Sequence, residues 1–119
     1  MSDRKRMLVT KVGDLAVVRF TDRKIVDSGN IEELGEEMFS LVDKDKFKNV
    51  LLNFEGVEFM SSAALNKLIL MDKRVKGVQG KLRLCTLRAE IMEVFTITRL
   101  NRVFDIYKTE ADALKAFGL

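Results

Sequence analysis

Residues 49–65 read NVLLNFEGVEFMSSAAL. The apolar run within Asn49–Phe54 is continuous rather than alternating, which is typical of a strand covered on both faces. Glu55–Met60 predicts a loop, and the small residues after it predict a helix that begins at Ser61 or Ser62 and ends near Gln79. A buried strand followed by a loop and a helix is the repeating unit of α/β folds with a parallel sheet.

Two further apolar runs precede this unit. Met7–Val12 and Leu15–Phe20 flank the dipeptide Gly13-Asp14, and glycine in the first position predicts a β-hairpin with a type II′ turn. Thr21–Lys24 predicts a polar loop. An amphipathic helix is predicted over about residues 29–43. Its apolar side chains recur at spacings of three and four, at Ile31, Leu34, Met38, Leu41 and Val42.

The same alternation continues towards the end of the chain. Gly80 is expected to be the left-handed residue that ends the preceding helix, and Lys81–Thr86 predicts the strand that follows. Arg88–Thr98 predicts a helix, and Phe104–Tyr107 predicts a short last strand. The residues of that helix expected to point inward are Ile91, Val94, Phe95 and Thr98. A Thr-x-x-acid pattern at Thr109 predicts the cap of a final helix.

The resulting element order is ββαβαβαβα. This alternation predicts an α/β fold with a mostly parallel sheet of about five strands. We expect an antiparallel hairpin at the N-terminal edge of the sheet and about four helices packed against it. The chain has no proline and no linker-like stretch, which predicts a single domain over residues 1–119.

The composition excludes several kinds of site. The chain has no histidine and a single cysteine, so a Ser-His-Asp triad, an intrachain disulfide and a thiolate zinc cage are ruled out. We therefore expect neither an enzyme nor a metal site. Cys85 lies within a predicted buried strand, where a free cysteine usually behaves as a small apolar residue.

Charge and hydropathy predict a cytoplasmic protein without a nucleic-acid or membrane partner. Lys and Arg together number 21 against 18 Asp and Glu, and so small a surplus is weak evidence for nucleic-acid binding. No apolar segment approaches the roughly 20 residues of a membrane helix, and no signal peptide is expected. Arg4, Lys5 and Arg6 predict a frayed, solvated terminus.

The best candidate for a functional site is the helix start at Met60–Ala64. Partners of open α/β sheets favour the carboxyl edge of the strands, where the loops 22–29, 55–62 and 86–89 are expected to meet. The first helical turn presents unpaired N–H groups and a positive dipole end, which favour an anion. A serine there can be phosphorylated, which would bring about −2 charges to a docking surface. Serine is also a preferred N-cap, so the alternative is that both serines only start the helix.

The residues around this helix start resemble the STAS domain, the family of the anti-sigma factor antagonists. The family signature has an apolar strand, a Val-x-Phe loop and Asp-Ser-Ser-Gly-Leu at a helix start, and Phe54–Leu65 is similar to it. The likeness continues through Gly77–Cys85, Ile91–Phe95 and Leu100–Phe104. In this order and spacing the segments cover nearly the whole chain, from about residue 8 to residue 114.

The resemblance implies a protein-binding module that is not an enzyme and needs no cofactor. Such proteins bind an anti-sigma factor that is also a Ser/Thr kinase. Phosphorylation of a serine at the helix start breaks the complex, and a PP2C-type phosphatase restores it. By position the implied phosphoacceptor is Ser62, with Ser61 as the second choice. The implied partner-binding residues are Asp22, Asp27, Ser28, Met60, Ser61, Ala63, Ala64 and Leu65.

The chain also departs from the signature. Ser61 stands where the family has Asp, and Ala63 and Ala64 replace its second Ser and its Gly. Ser61 can replace the lost acid as a cap, but a kinase would read a different sequence. The target is therefore Ser62, Ser61 or neither, in that order. The alternative function is a small-ligand, nucleotide or flavin sensor, whose basis is only the element order and the helix start as an anion site.

Overall fold

The computed structural model describes residues 4–119 and contains a five-stranded mixed sheet. The strand order across the sheet is β1 (Met7–Val12), β2 (Leu15–Phe20), β4 (Asn49–Asn53), β6 (Lys81–Cys85) and β7 (Asp105–Tyr107). β1 and β2 form the antiparallel edge hairpin, and all other neighbours in this sheet are parallel.

Four helices complete the fold. They are α1 (Ser28–Asp43), α2 (Ser62–Gly77), α3 (Ala89–Ile97) and α4 (Glu110–Ala116), with a short 3-10 helix at Leu100–Arg102 between α3 and β7. This architecture confirms the predicted α/β class and its antiparallel N-terminal edge. None of these helices is both long enough and apolar enough to cross a lipid bilayer.

A second, two-stranded sheet was missed by the sequence analysis. β3 (Lys24–Ile25) pairs in parallel with β5 (Phe59–Met60), in segments that were predicted to be loops. Strands of two residues are too short to show a hydropathy period, so the sequence carries no signal for them. The pairing joins the loop before α1 to the loop before α2.

The main sheet is covered on both faces. α1, α2 and α3 pack on one face over the larger core, where the Phe20 and Phe54 ring centroids lie 4.9 Å apart. α4 covers the other face over a smaller core that contains Leu51 and Cys85. Burial on both faces explains the continuous apolar sequence of β4. The buried position of Cys85 agrees with its predicted role in the core.

Helix α3 buries fewer side chains than the sequence predicted. Ile91 and Phe95 are buried, and the Phe95 ring packs edge-on against Phe104. The inward prediction is wrong for Val94, which is 37% exposed, and for Thr98, which is exposed and follows the helix. The Thr98 hydroxyl donates to the Val94 carbonyl at 2.7 Å, which satisfies it at the helix end without burial.

The basic N-terminal segment is ordered against α1 rather than frayed. The Arg4 guanidinium donates to Asp45 at 2.6 Å. The backbone N–H groups of Lys5 and Arg6 donate to the Glu37 carboxylate at 2.9 and 3.0 Å. The prediction of a solvated end is therefore wrong for residues 4–6. The partners that order this segment lie more than 30 positions away in the sequence, so a local pattern cannot reveal them.

The end of α2 also differs from the prediction. Gln79, not Gly80, adopts the left-handed conformation, with φ of 61°. The Gln79 N–H donates to the Lys76 carbonyl at 3.0 Å, and the Gly80 N–H donates to the Val75 carbonyl at 2.9 Å. These two bonds form a Schellman motif. Gly80 is required for a different reason, because a Cβ there would lie 1.8 Å from the Lys48 carbonyl oxygen.

We expect Gly80→Ala to destabilise the domain by about 1–3 kcal/mol, because the new methyl group must displace the Lys48 backbone at a packed crossing. Gly77→Ala is the matched control. A Cβ at Gly77 meets nothing within 4 Å, so this change should be neutral or stabilising by up to about 1 kcal/mol. Urea unfolding of both variants measures the difference, and equal midpoints would contradict the role given to Gly80.

Candidate functional site

Ser61 is the N-cap of α2. Its backbone is extended, with φ of −81° and ψ of 168°, and its hydroxyl oxygen accepts from the Ala64 N–H at 3.3 Å. Its own N–H donates to the Ile25 carbonyl at 3.0 Å, directly after the β3–β5 pair. The capping alternative considered for the two serines is therefore the observed role of Ser61.

Ser62 is the first residue of α2 and is exposed. Its hydroxyl forms no hydrogen bond with any other residue in the range 4–119. Ala63 is also exposed, so the outer surface of the first turn carries only small side chains. The first turn contains no acidic residue. Of the two predicted serines, Ser62 is thus the one with an accessible hydroxyl beside the positive end of the helix dipole.

The three loops that were predicted to meet at this edge are joined by ion pairs. Glu58, in the loop before α2, contacts Arg23 of the first loop at 3.5 Å and Arg88 of the third at 3.8 Å. Both arginines are half-exposed or more, so each pair contributes little to stability. Their effect is to hold two cations on the same edge as the start of α2.

The predicted partner-binding residues of the first loop do not all face solvent freely. Both carboxylate oxygens of Asp22 accept from the Arg6 guanidinium, each at 3.1 Å, which makes Asp22 part of the N-terminal anchor. Asp27 caps α1 by accepting from the Asn30 N–H at 3.0 Å, and its side chain is exposed. Ser28 begins α1 and is also exposed.

The predicted partner-binding residues around the serines also differ in their exposure. Met60, Ala64 and Leu65 are buried, and Ala63 is exposed. Ala64 belongs to the core beneath α2, where its Cβ is fully covered. Met60 and Leu65 retain a small exposed fraction, and both contribute it to the wall of a groove.

This groove is the feature that the sequence analysis missed. It is an apolar cleft of about 120 Å³ between β5 and the helices α2 and α3. Its lining residues are Glu58, Phe59, Met60, Leu65, Glu90, Ile91 and Val94. The sequence carries no signal for it, because Ile91, Val94 and Phe95 follow the spacing of a single inward helix face.

The groove is small for a cofactor. Sites for small molecules usually enclose about 300–1,000 Å³, so a cleft of about 120 Å³ is sized for one or two side chains. Phe59, which is 53% exposed, forms part of its rim. A large exposed aromatic ring beside an apolar cleft is typical of a surface that meets another protein.

Cys85 is not among the residues that form this site. Burial raises the pKa of the Cys85 thiol, which keeps it protonated near neutral pH. A protonated, buried thiol is a poor nucleophile.

Comparisons with known proteins agree with this fold. A family model described as the STAS domain matches residues 6–113. BtrV of Bordetella bronchiseptica, which is named a "Putative anti-sigma factor antagonist", is 34% identical over 93 residues. The aligned part is 78% of this chain and 79% of BtrV.

Solved structures show the same architecture. An anti-sigma-factor antagonist (STAS) domain protein from Planctomyces limnophilus superposes with a TM-score of 0.81 at 25% identity, over 95% of this chain and 98% of that protein. The phosphorylated form of SpoIIAA, a Bacillus cell fate determinant, has a TM-score of 0.72 at 18% identity, over 93% and 98% of the two chains, which is a likeness of fold. With a family model that spans most of its length and a relative of similar size, this chain belongs to the STAS domain family.

Proposed function

We propose that this protein is an anti-sigma factor antagonist whose docking surface is controlled by phosphorylation of Ser62. Its partner is an anti-sigma factor with Ser/Thr kinase activity, and a PP2C-type phosphatase reverses the modification. The observation that carries the proposal is the exposed hydroxyl of Ser62 on the first turn of α2, close in sequence to residues that line an apolar groove. The name of its relative BtrV supports the same class of function.

The position of Ser62 suits a reversible charge. In the kinase step the Ser62 hydroxyl oxygen attacks the terminal phosphorus of a nucleoside triphosphate, and the bond from that phosphorus to the bridging oxygen breaks. The nucleoside diphosphate leaves, and the hydroxyl proton passes to a base of the kinase. The phosphate then lies at the positive end of the α2 dipole, an interaction worth about 0.3–1 kcal/mol at an exposed position. The folded domain can therefore accept the modification without losing the helix.

The same charge opposes docking. A phosphate of about −2 charges keeps its water, and a partner that covers the first turn of α2 would have to remove that water. The exposed surface there now consists of the small side chains of Ser62 and Ala63, which allow another backbone to come close. The unmodified form is thus the one that binds.

Ser61 is less suited to be the target. Its hydroxyl oxygen already accepts a hydrogen bond from the Ala64 N–H, and its residue is only partly exposed. A kinase would need to withdraw this oxygen from the helix before transfer. The proposal therefore assigns the phosphoryl group to Ser62 and the structural cap to Ser61.

The groove supplies the attractive part of the surface. Phe59 and Val94 present exposed apolar area next to the buried side chains of Met60 and Leu65. We assign it to one or two apolar side chains of the anti-sigma factor. Docking there would be favoured by removal of this area from water.

Ser62→Asp should weaken binding of the anti-sigma factor by about tenfold or more, whereas Ser62→Ala should bind like the parent, because only the first change adds charge. The partner is first recovered from the native cells with the Ser62→Ala protein as bait, and affinities are then measured by calorimetry. Ser61→Ala is the control. It should cost about 1 kcal/mol of stability through loss of the cap and leave binding unchanged.

Equal affinities of the partner for the Ser62→Asp and Ser62→Ala proteins would contradict a switch at this residue. Mass spectrometry of the peptide that contains Ser61 and Ser62, after incubation with the recovered partner and ATP, identifies the modified hydroxyl. Phosphate found on Ser61 would contradict the assignment to Ser62.

Phe59→Ala and Val94→Ala should each reduce affinity for the same partner by about 1–2 kcal/mol, because each removes exposed apolar area from the groove. Leu8→Ala is the matched control, since Leu8 is 63% exposed on the edge strand β1. Thermal unfolding checks that all variants are folded. Loss of affinity with Leu8→Ala alone would move the docking surface to the hairpin edge.

A further inference from the structure

The far end of the domain from Ser62 carries a cluster of exposed lysines. We call Lys11, Lys46, Lys48 and Lys81 the lysine end. The first three line one groove of about 400 Å³, together with Phe47, Asn49, Asp14 and Asp45. The Lys81 N–H donates to the Lys48 carbonyl at 3.0 Å, which places Lys81 at the same edge.

The charge of the lysine end is not neutralised within residues 4–119. None of its lysine side chains takes part in an ion pair or a hydrogen bond there. Of the two carboxylates in the groove, Asp45 is bound by Arg4 at 2.6 Å. Asp14 is the other carboxylate, and its single charge balances at most one of the four lysines. A surplus of positive charge therefore faces solvent.

The lysine end also has an apolar part. A neighbouring groove of about 290 Å³ is lined by Val42, Phe47, Val78 and Asp43, and it shares Lys46 and Lys48 with the first groove. The Asp43 carboxylate is paired with Arg74 at 2.6 Å. The two grooves meet at Phe47, so apolar surface and free ammonium groups lie side by side. A segment that combines carboxylates with apolar side chains complements both features.

We propose that the lysine end is a second docking surface, which binds an acidic, partly apolar segment of a protein partner. Single-stranded nucleic acid is held by a positively charged groove together with aromatic rings on which successive bases stack. Here Phe47 is the one aromatic lining residue, and the nearby Arg74 is engaged by Asp43 at 2.6 Å. A flat membrane surface would touch the rims of the two grooves and leave the apolar floor uncovered.

The two surfaces are separated by the length of α2. This helix has 16 residues and is therefore roughly 24 Å long. Ser62 begins it, and the chain returns to the lysine end within four residues of its last residue, Gly77. One molecule can thus bind one partner at each end.

The test uses the full chain and a labelled short peptide of repeated Glu-Glu-Leu triplets, with fluorescence anisotropy as the readout. The parent protein should bind this peptide with an affinity that falls as salt rises. K46E/K48E should weaken binding by about tenfold, because two free cations become anions. K108E/K115E is the matched control, since it makes the same charge change at exposed lysines elsewhere and should retain parental affinity.

Several outcomes would overturn this inference. They are equal binding of a Gln-Gln-Leu peptide, equal losses in the two variants, and tighter binding of single-stranded DNA or phosphatidylserine vesicles than of the Glu-Glu-Leu peptide. Melting temperatures confirm that both variants are folded.

The anti-sigma factor recovered with the Ser62→Ala protein should still bind K46E/K48E. Loss of that binding would contradict a separate second surface. The Ser62→Asp protein should bind the Glu-Glu-Leu peptide with parental affinity, even if its affinity for the anti-sigma factor is lost. The failure of one proposal can therefore be distinguished from the failure of the other.

Discussion

The position of the α2 start depends on a short stretch of backbone pairing. β3 and β5 exchange hydrogen bonds over only two residues each, and the Ser61 N–H then donates to the Ile25 carbonyl at 3.0 Å. This bond fixes the residue at which the chain turns from extended to helical. Ser61 is thereby placed as the cap, and Ser62 follows on the outward side of the first turn. The exposure of the Ser62 hydroxyl therefore follows from the register of the β3–β5 pair.

The long elements could be predicted from sequence because each repeats a pattern many times. β1, β2 and α1 were predicted almost residue for residue, since a hairpin turn and a three-to-four spacing are local signals. The β3–β5 pair could not be, because two residues contain no period. The ordering of residues 4–6 was also hidden, since their ion-pair partners lie far along the chain.

The site was predictable in part. The helix start and the two serines follow from small residues after a buried strand, and the meeting of three loops follows from the parallel sheet. The groove could not be predicted, because the spacing of the apolar residues in α3 assigned Val94 to the core. The difference between a core position and a groove position depends on what covers it, and that is a property of tertiary packing.

The exchange of the family's Asp for Ser61 would change the charge balance of the proposed switch. Ser61 caps α2 with a neutral hydroxyl, and the first turn contains no acidic side chain. Phosphorylation of Ser62 would therefore change the local charge from zero to about −2. With Asp at the cap the change would run from −1 to about −3, so the unmodified surface would already repel an acidic partner. The serine makes the unmodified state neutral at the first turn.

Distance would keep the charge of such a phosphate from acting on the rest of the molecule. Electrostatic effects in physiological salt fall off over about 8 Å, whereas the axis of α2 separates Ser62 from the lysine end by roughly 24 Å. The charge is also carried by a side chain outside the core, and Ser61 rather than Ser62 supplies the cap. A phosphate on Ser62 would therefore alter what can dock at the first turn of α2 and would leave both the fold and the opposite surface unchanged.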